Sequence, residues 1–538
     1  MLLRLLTLCL ALMLPSLAYS QTQGASQTLE ELVARLPDGN FDDRAAVVTQ
    51  IATTGDPRAL AVLEALLEGD LEQRNADGRI VIVSGSRSNQ VATDVLTGED
   101  LGAVARRSTS SIRVNNGLRR AIRSAMGIMT LRDPDPARRL SAAEAALRAP
   151  DAEQVEALAA AMEAEQVPSI RQAQTLAHAA AILASDAGTE AKLAAVAVIG
   201  SAPALMVQAT LNAYRDAADP ALAEAVAATI AEAERRQAVW GQAQNLWFGL
   251  SLGSVLLLAA IGLAITFGVM GVINLAHGEL VMLGAYTTYV VQEWLRTNAP
   301  EYFGYSLAIA VPLAFFFVGA VGVAIERGIV RHLYGRPLET LLATWGVSLI
   351  LQQAVRTAFG PTNREVGTPD WMSGAFQLGE MTVTWPRVAI VIFSLTVFFG
   401  LLLAMRYSAF GLQMRAVTQN RPMAANLGIR TGRVDALTFG LGAGIAGLAG
   451  VALSQIDNVS PNLGQSYIID SFLVVVFGGV GNLWGTLAAA MGLGIANKFL
   501  EPWAGAVLGK ILILIFIILF IQKRPRGLFP QRGRAAEG

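Results

Sequence analysis

The 538-residue chain is 53% hydrophobic and only 15% charged, with 51 Gly and one Cys. Its mean hydropathy is +0.46. Soluble domains carry about 25% charged residues, so the shortfall argues against a wholly cytosolic protein. A formal net charge of −1 gives no basic footprint for nucleic acid. One Cys and three scattered His (His178, His277, His332) exclude a disulfide framework and argue against a metal centre. The neutral total hides an asymmetry: residues 241–538 hold 13 acids and 19 bases, whereas residues 1–240 are net acidic.

The chain opens with Arg4, an apolar run from Leu5 to Leu14 too short to span a bilayer, and Ala18-Tyr19-Ser20 as a small-x-small site. Residues 1–20 therefore resemble a secretory signal peptide, with an uncleaved anchor as the alternative. Residues 21–240 are Ala- and Glu-rich. In Asp56–Leu71, residues Leu60, Leu63, Leu66, Leu67 and Leu71 fall at helical spacing. Asp-Pro pairs before amphipathic runs recur at Asp133-Pro134, Asp135-Pro136 and Asp219-Pro220, which suggests HEAT-like helical hairpins or a plain helical spacer. Arg79–Val83, followed by Ser84-Gly85-Ser86, predicts a small β insertion.

Nine apolar segments follow, at about 246–266, 279–295, 305–325, 338–357, 387–405, 435–456, 468–481, 484–499 and 505–521. The expected fold is all-α: a polytopic membrane domain of 8–9 segments with broken or re-entrant helices over residues 241–530, then a cytoplasmic tail at 531–538. If the first segment enters from outside, 13 Lys and Arg lie in inner loops and 5 in outer ones. The positive-inside rule then places the 21–240 domain in the periplasm.

Two places carry broken-helix signals. Gly268–Gly278 reads GVMGVINLAHG and Phe477–Thr486 reads FGGVGNLWGT, with Asn274 and Asn482 among glycines. Paired interruptions point to a transport pathway, though tight turns between helices would have the same composition. His277 and Glu279 adjoin the first break, as pathway groups or as residues of the cytoplasmic surface. Thr340, Thr344, Ser348, Gln352 and Arg356 recur every four residues, a slowly winding polar stripe able to line a pathway or to bond neighbouring helices. Gly440 and Gly444, continued by Gly447 and Gly450, make a small face for close packing. The loop Arg406–Asp435 is basic, too long for a turn, and contains a short helix-capable run, Pro422–Leu427, ended by Gly428. It suits docking into a partner's groove or lying near anionic lipid.

GAVLGKI (Gly505–Ile511) is one spacer short of a P-loop and lacks the Mg²⁺-holding Ser or Thr; HExxH is absent from the sequence. A transport subunit without its own ATPase site is expected.

Three motifs in order, GVINLAHGELVMLGAY (Gly271–Tyr286), MRAVTQNRPMAANLGI (Met414–Ile429) and FGGVGNLWGTLAAA (Phe477–Ala490), resemble the branched-chain amino-acid type of ABC importer permease. The secreted domain ahead of them looks like the urea-transport branch of that family. The resemblance implies an inner-membrane permease that works with a second homologous permease, two ATPase subunits that bind ATP and Mg²⁺, and a periplasmic substrate-binding protein, within a lipid bilayer. It implies that Ala424, Ala425, Asn426 and Gly428 lie in the helix that meets an ATPase, with Arg415 and Asn420 beside them. Asn274, His277, Glu279, Thr344, Ser348, Gln352 and Asn482 are the expected pathway residues. Urea or short amides are the expected cargo, with a branched-chain amino-acid permease or an ATP-independent urea channel as alternatives.

Overall fold

The computed structural model describes residues 28–86, 89–104 and 108–529, so the signal peptide and the 531–538 tail fall outside the described residues. The chain divides into two compact units, Met1–Arg235 and Arg236–Gly538.

In the first unit, α1 (Leu29–Arg35), α2 (Phe41–Thr53) and α3 (Ala59–Glu68) precede a small sheet. Asn40 Oδ1 caps α2, accepting from the Asp42 and Asp43 amides at 2.8 and 2.9 Å. Gly69, at φ +87°, stops α3. Leu71 is therefore not on the helix, as its spacing implied, but opens β1 (Leu71–Arg74). The insertion is larger than the sequence signalled: β1, β2 (Ile80–Ser86), β3 (Asn89–Asp94), β4 (Asp100–Ala103) and β5 (Thr109–Ser111) form one antiparallel sheet in the order β4-β3-β2-β1-β5. Leu32, Ile51, Leu63, Leu66 and Leu71 meet Leu118 and Ile122 of α4 (Asn116–Thr130) in one core.

Helices α5 (Pro136–Arg148), α6 (Val155–Ala164), α7 (Pro168–Ala184), α8 (Thr189–Gly200) and α9 (Ala204–Leu211) complete the unit, α7 packing against α5, α6 and α8. Pro136 and Pro168 sit in first turns, as the Asp-Pro reading anticipated for the former. Arg139 joins α5 to the buried Glu165, its Nε 2.7 Å from Oε2 and its Nη2 3.1 Å from Oε1. The first turns of α10 (Pro220–Met270) supply Leu222, Val226 and Ile230 to the last core of this unit.

The second unit contains the rest of α10, then α11 (His277–Asn298), α12 (Ser306–Gly328), α13 (Pro337–Phe359), the hairpin β6 (Ala375–Leu378) and β7 (Met381–Thr384), α14 (Trp385–Tyr407), α15 (Ala409–Gln419), α16 (Arg421–Asn426), α17 (Thr431–Leu453), α18 (Leu463–Gly478) and α19 (Leu483–Lys523). Among the described residues, five helices are long and apolar enough to cross a membrane: α10, α14, α17, α19 and the stretch Pro300–His332 that contains α12. α11 and α13 are 22 and 23 residues long but too polar to meet that measure, and α18 has 16 residues. The nine apolar segments each centre on a helix, with 435–456 running past Leu453 of α17 and 468–481 past Gly478 of α18, while 484–499 and 505–521 share α19, which bends at Gly505 (φ +79°). The chain beyond its end returns to the end of α18: Leu528 and Phe529 amides donate to the Phe477 and Gly478 carbonyls at 2.9 and 3.2 Å.

At the centre stands α17, buried without interruption from Gly442 to Leu453. Its glycines let backbones touch. A Cβ on Gly284 of α11 would lie 2.1 Å from the Gly447 oxygen, and one on Gly262 of α10 would lie 2.3 Å from the Gly442 oxygen. Gly440 and Gly444 take α12 in the same way, so the small face is a packing face.

Candidate translocation and coupling site

The first break is Gly271–Ala276, between α10 and α11; the second is Gly479–Asn482, between α18 and α19. They lie side by side, for a Cβ on Gly268 would come within 2.6 Å of the Gly481 Cα. Each turns on glycine in the left-handed region: Gly271 (φ +70°), and Gly479 and Gly481 (φ +103° and +78°).

The two asparagines have different surroundings. Asn482 is half-buried; its Oδ1 caps α19, accepting from the Trp484 and Gly485 amides at 3.1 and 3.2 Å, and its Nδ2 donates to the Phe529 carbonyl at 3.2 Å. Asn274 is buried, its Oδ1 accepts from the Ala276 amide at 3.0 Å, and its Nδ2 has no partner among the described residues.

His277 and Glu279 are buried, at 1% exposure each. The Ala259 carbonyl accepts from His277 Nε2 at 2.8 Å, which fixes the proton there and leaves Nδ1 as a bare acceptor. Ser348 Oγ donates to Glu279 Oε1 at 3.1 Å, while Oε2 is unpartnered. Six residues of chain thus hold one donor and two acceptors, buried and unsatisfied. Each such group costs about 1–3 kcal/mol unless water or a solute meets it.

Thr340, Thr344, Ser348 and Gln352 all face inward along α13, while Leu342, Trp345, Leu349 and Ile350 of the same helix are exposed. The stripe touches the break directly: Thr344 Oγ1 accepts from the Leu275 amide at 3.2 Å. Further along, Gln352 Nε2 donates to the Pro461 carbonyl and to Asn462 Oδ1 at 3.3 and 3.2 Å, and Arg356 Nη2 donates to the same Oδ1 at 2.6 Å. Glu279 and the backbone on either side of Asn274 are therefore joined to α13 through Ser348 and Thr344, and Gln352 closes onto the α17–α18 loop. That loop's Pro461 and Asn462 carry no pattern that a reading of the sequence alone would single out.

The basic loop folds into α15 and α16. Asn420 caps α16, its Oδ1 accepting from the Met423 amide at 3.0 Å, and Gly428 ends it at φ +87°. Ala424 is buried in the core with Met414, Val417 and Val434. Ala425, Asn426 and Gly428 are exposed, as are Met423 and Leu427, at 56% and 76%. Arg415 is exposed and donates to the Met405 carbonyl. An ion pair was not foreseen: Arg421 binds Asp435, whose side chain is wholly buried in the second turn of α17. An acid inside an apolar helix was the available signal.

A bundle of apolar helices around a glycine-faced centre, with non-helical backbone and unsatisfied polar groups in its interior, is a helical membrane permease. The chain belongs to the family described as branched-chain amino acid transport system / permease component, whose model matches residues 245–521. It is 30% identical over 292 residues to the high-affinity branched-chain amino acid transport system permease protein BraD of Pseudomonas aeruginosa, covering 53% of this chain and 94% of that one. The LivH permease protein of Escherichia coli is matched to the same extent, 30% over 292 residues, 53% and 94%. LivM of Escherichia coli is 25% identical over 310 residues, covering 52% of this chain and 69% of LivM. No solved structure matches the chain. Family membership makes it an inner-membrane transport component, and the match leaves the first unit without a counterpart in BraD or LivH.

Proposed function

We propose that the chain is the transmembrane permease subunit of an ATP-driven ABC importer for urea or short amides, without an ATPase site of its own. It works with a second homologous permease, two ATPase subunits that bind ATP and Mg²⁺, and a periplasmic binding protein. The first unit lies in the periplasm, where it contacts that binding protein, and the C-terminus lies in the cytoplasm. The observation that carries the cargo is the trio of unsatisfied groups at the first break. Asn274 Nδ2 offers a donor, and His277 Nδ1 and Glu279 Oε2 offer acceptors. Urea has one carbonyl and four N–H groups, the complementary set, and needs no apolar pocket. The added first unit supports the same branch of the family.

A second reading, branched-chain amino acids, is favoured by the relatives, which are named for that cargo. Against it, the inward stripe of α13, Thr340, Thr344, Ser348 and Gln352, offers hydroxyls and an amide, with Val347 and Val355 the buried aliphatic residues of the same helix. Competition decides between them. In proteoliposomes with all partners, uptake of labelled urea that acetamide suppresses and leucine leaves intact supports the urea reading. Leucine uptake in place of urea overturns the cargo and keeps the family.

A further inference from the structure

α16 is a helix of only six residues, so it moves as its anchors move. Ala424 is an apolar anchor with no direction to it. Arg421 is a directed one. Its Nη1 lies 3.2 Å from Asp435 Oδ1 and its Nη2 pairs with Oδ2, so the contact is two-pronged and fixes orientation as well as distance. Its guanidinium also lies over the Tyr334 ring, 4.8 Å from the centroid. Tyr334 Oη donates at 2.8 Å to Glu326 Oε1, at the end of α12, and Glu326 is 1% exposed. One side chain of α16 thus grips the α12–α13 loop and the second turn of α17 directly, and the last turn of α12 by way of Tyr334.

Charge is an expensive way to build a mere packing contact, because a buried carboxylate without its partner is strongly unfavourable. That same penalty makes the pair hold together when α16 is displaced. The displacement is then delivered to α17, whose glycine contacts with α10, α11 and α12 leave no room to absorb it. α11 carries Glu279, and α10 runs into the break that holds Asn274.

We infer that Arg421 is the positioning residue that converts movement of α16 into movement of α12 and α17, with Asp435, Tyr334 and Glu326 as its seats. The inference rests on the reading of α16 as the element that meets an ATPase. The test reads labelled urea accumulated and phosphate released from the same proteoliposomes containing the whole complex. Urea carried per ATP hydrolysed falls about tenfold in Arg421→Gln, about threefold in Tyr334→Phe, and by an intermediate factor of about three to five in Arg421→Lys, which keeps a positive charge beside Asp435 but loses the two-pronged, stacked geometry. A purely structural anchor would move uptake and hydrolysis together and leave the ratio unchanged; that result overturns the relay. Should Arg421→Gln fail to assemble, the ratio in Tyr334→Phe, which preserves the ion pair and the ring, decides alone. If the unaltered complex carries no urea, the same ratio is read with leucine, and a complex that carries neither under ATP contradicts the importer reading itself.

Discussion

At the scale of single residues, the account turns on side chains that are buried but not spent. Glu279 uses one oxygen on Ser348 and keeps the other bare, so removing the carboxyl takes away a contact available only to a solute or water. Glu279→Ala is expected to lower urea uptake at least tenfold at unchanged membrane yield, and Ser348→Ala, which frees Oε1 without removing it, by about threefold. Equal, wild-type uptake in both variants would remove Glu279 from the pathway. In the first unit, hydrogen bonding to Arg139 and to the Gln166 and Val167 amides holds the Glu165 carboxyl down at about 2, against an ordinary 4.5. The unfolded chain therefore takes up a proton here before the folded one does. The pair's stabilisation is complete above about pH 4.5 and is lost as the pH falls toward 2. Acid titration of the unfolding midpoint tests this: Glu165→Gln lowers the midpoint at neutral pH and flattens its fall below pH 4.5. The α13 stripe was legible because steps of four need only helix geometry to become a face. Arg421 was not, because its meaning depends on Asp435, fourteen positions away and across a turn, and on a Tyr334 ring that no periodicity connects to either.

At the scale of elements, apolar run length and Gly-Asn interruptions were enough to locate the long helices of the second unit and both breaks. Two features escaped. The first is that segments 484–499 and 505–521, read apart in the sequence, run together as one helix, α19, bent at Gly505 (φ +79°). The five-stranded sheet escaped because β1, β4 and β5 are short and polar, with only β2 rich in β-branched residues. Close backbone approach makes a sharp prediction. Gly284→Val forces a side chain into the Gly447 backbone of α17, whereas Gly346 of α13 has nothing within 4 Å of an added Cβ. Overpacking costs about 1–3 kcal/mol where a core can adjust, and here the neighbour is backbone. Gly284→Val is therefore expected to abolish the monodisperse detergent-solubilised protein, and Gly346→Ala to leave its yield and melting unchanged, as size-exclusion profiles would reveal. α16 presents Met423 and Leu427 outward. Replacing both with Asp should weaken capture of the ATPase subunits by at least tenfold, since anchors of this kind dominate an interface; undiminished co-purification would place the ATPase contact elsewhere.

At the scale of the molecule, two units of opposite net charge share the chain, and the family match, residues 245–521, falls entirely in the second. The charge step and the change in hydropathy near residue 240 made that division legible without any structure. What the first unit does was not legible, because stacked amphipathic helices and a small sheet make a scaffold whose surface carries no motif. The second unit joins a polar interior to a small exposed helix through close-packed glycines, the arrangement that the proposed relay from α16 to the breaks requires. The most direct measurement is labelled urea flux into proteoliposomes holding the chain with its partner permease, ATPases and binding protein, loaded with either ATP or a non-hydrolysable analogue. The account predicts accumulation above the external concentration with ATP and none with the analogue. Equal flux under both loads, stopping at equilibrium, would contradict it and make the chain a passive channel.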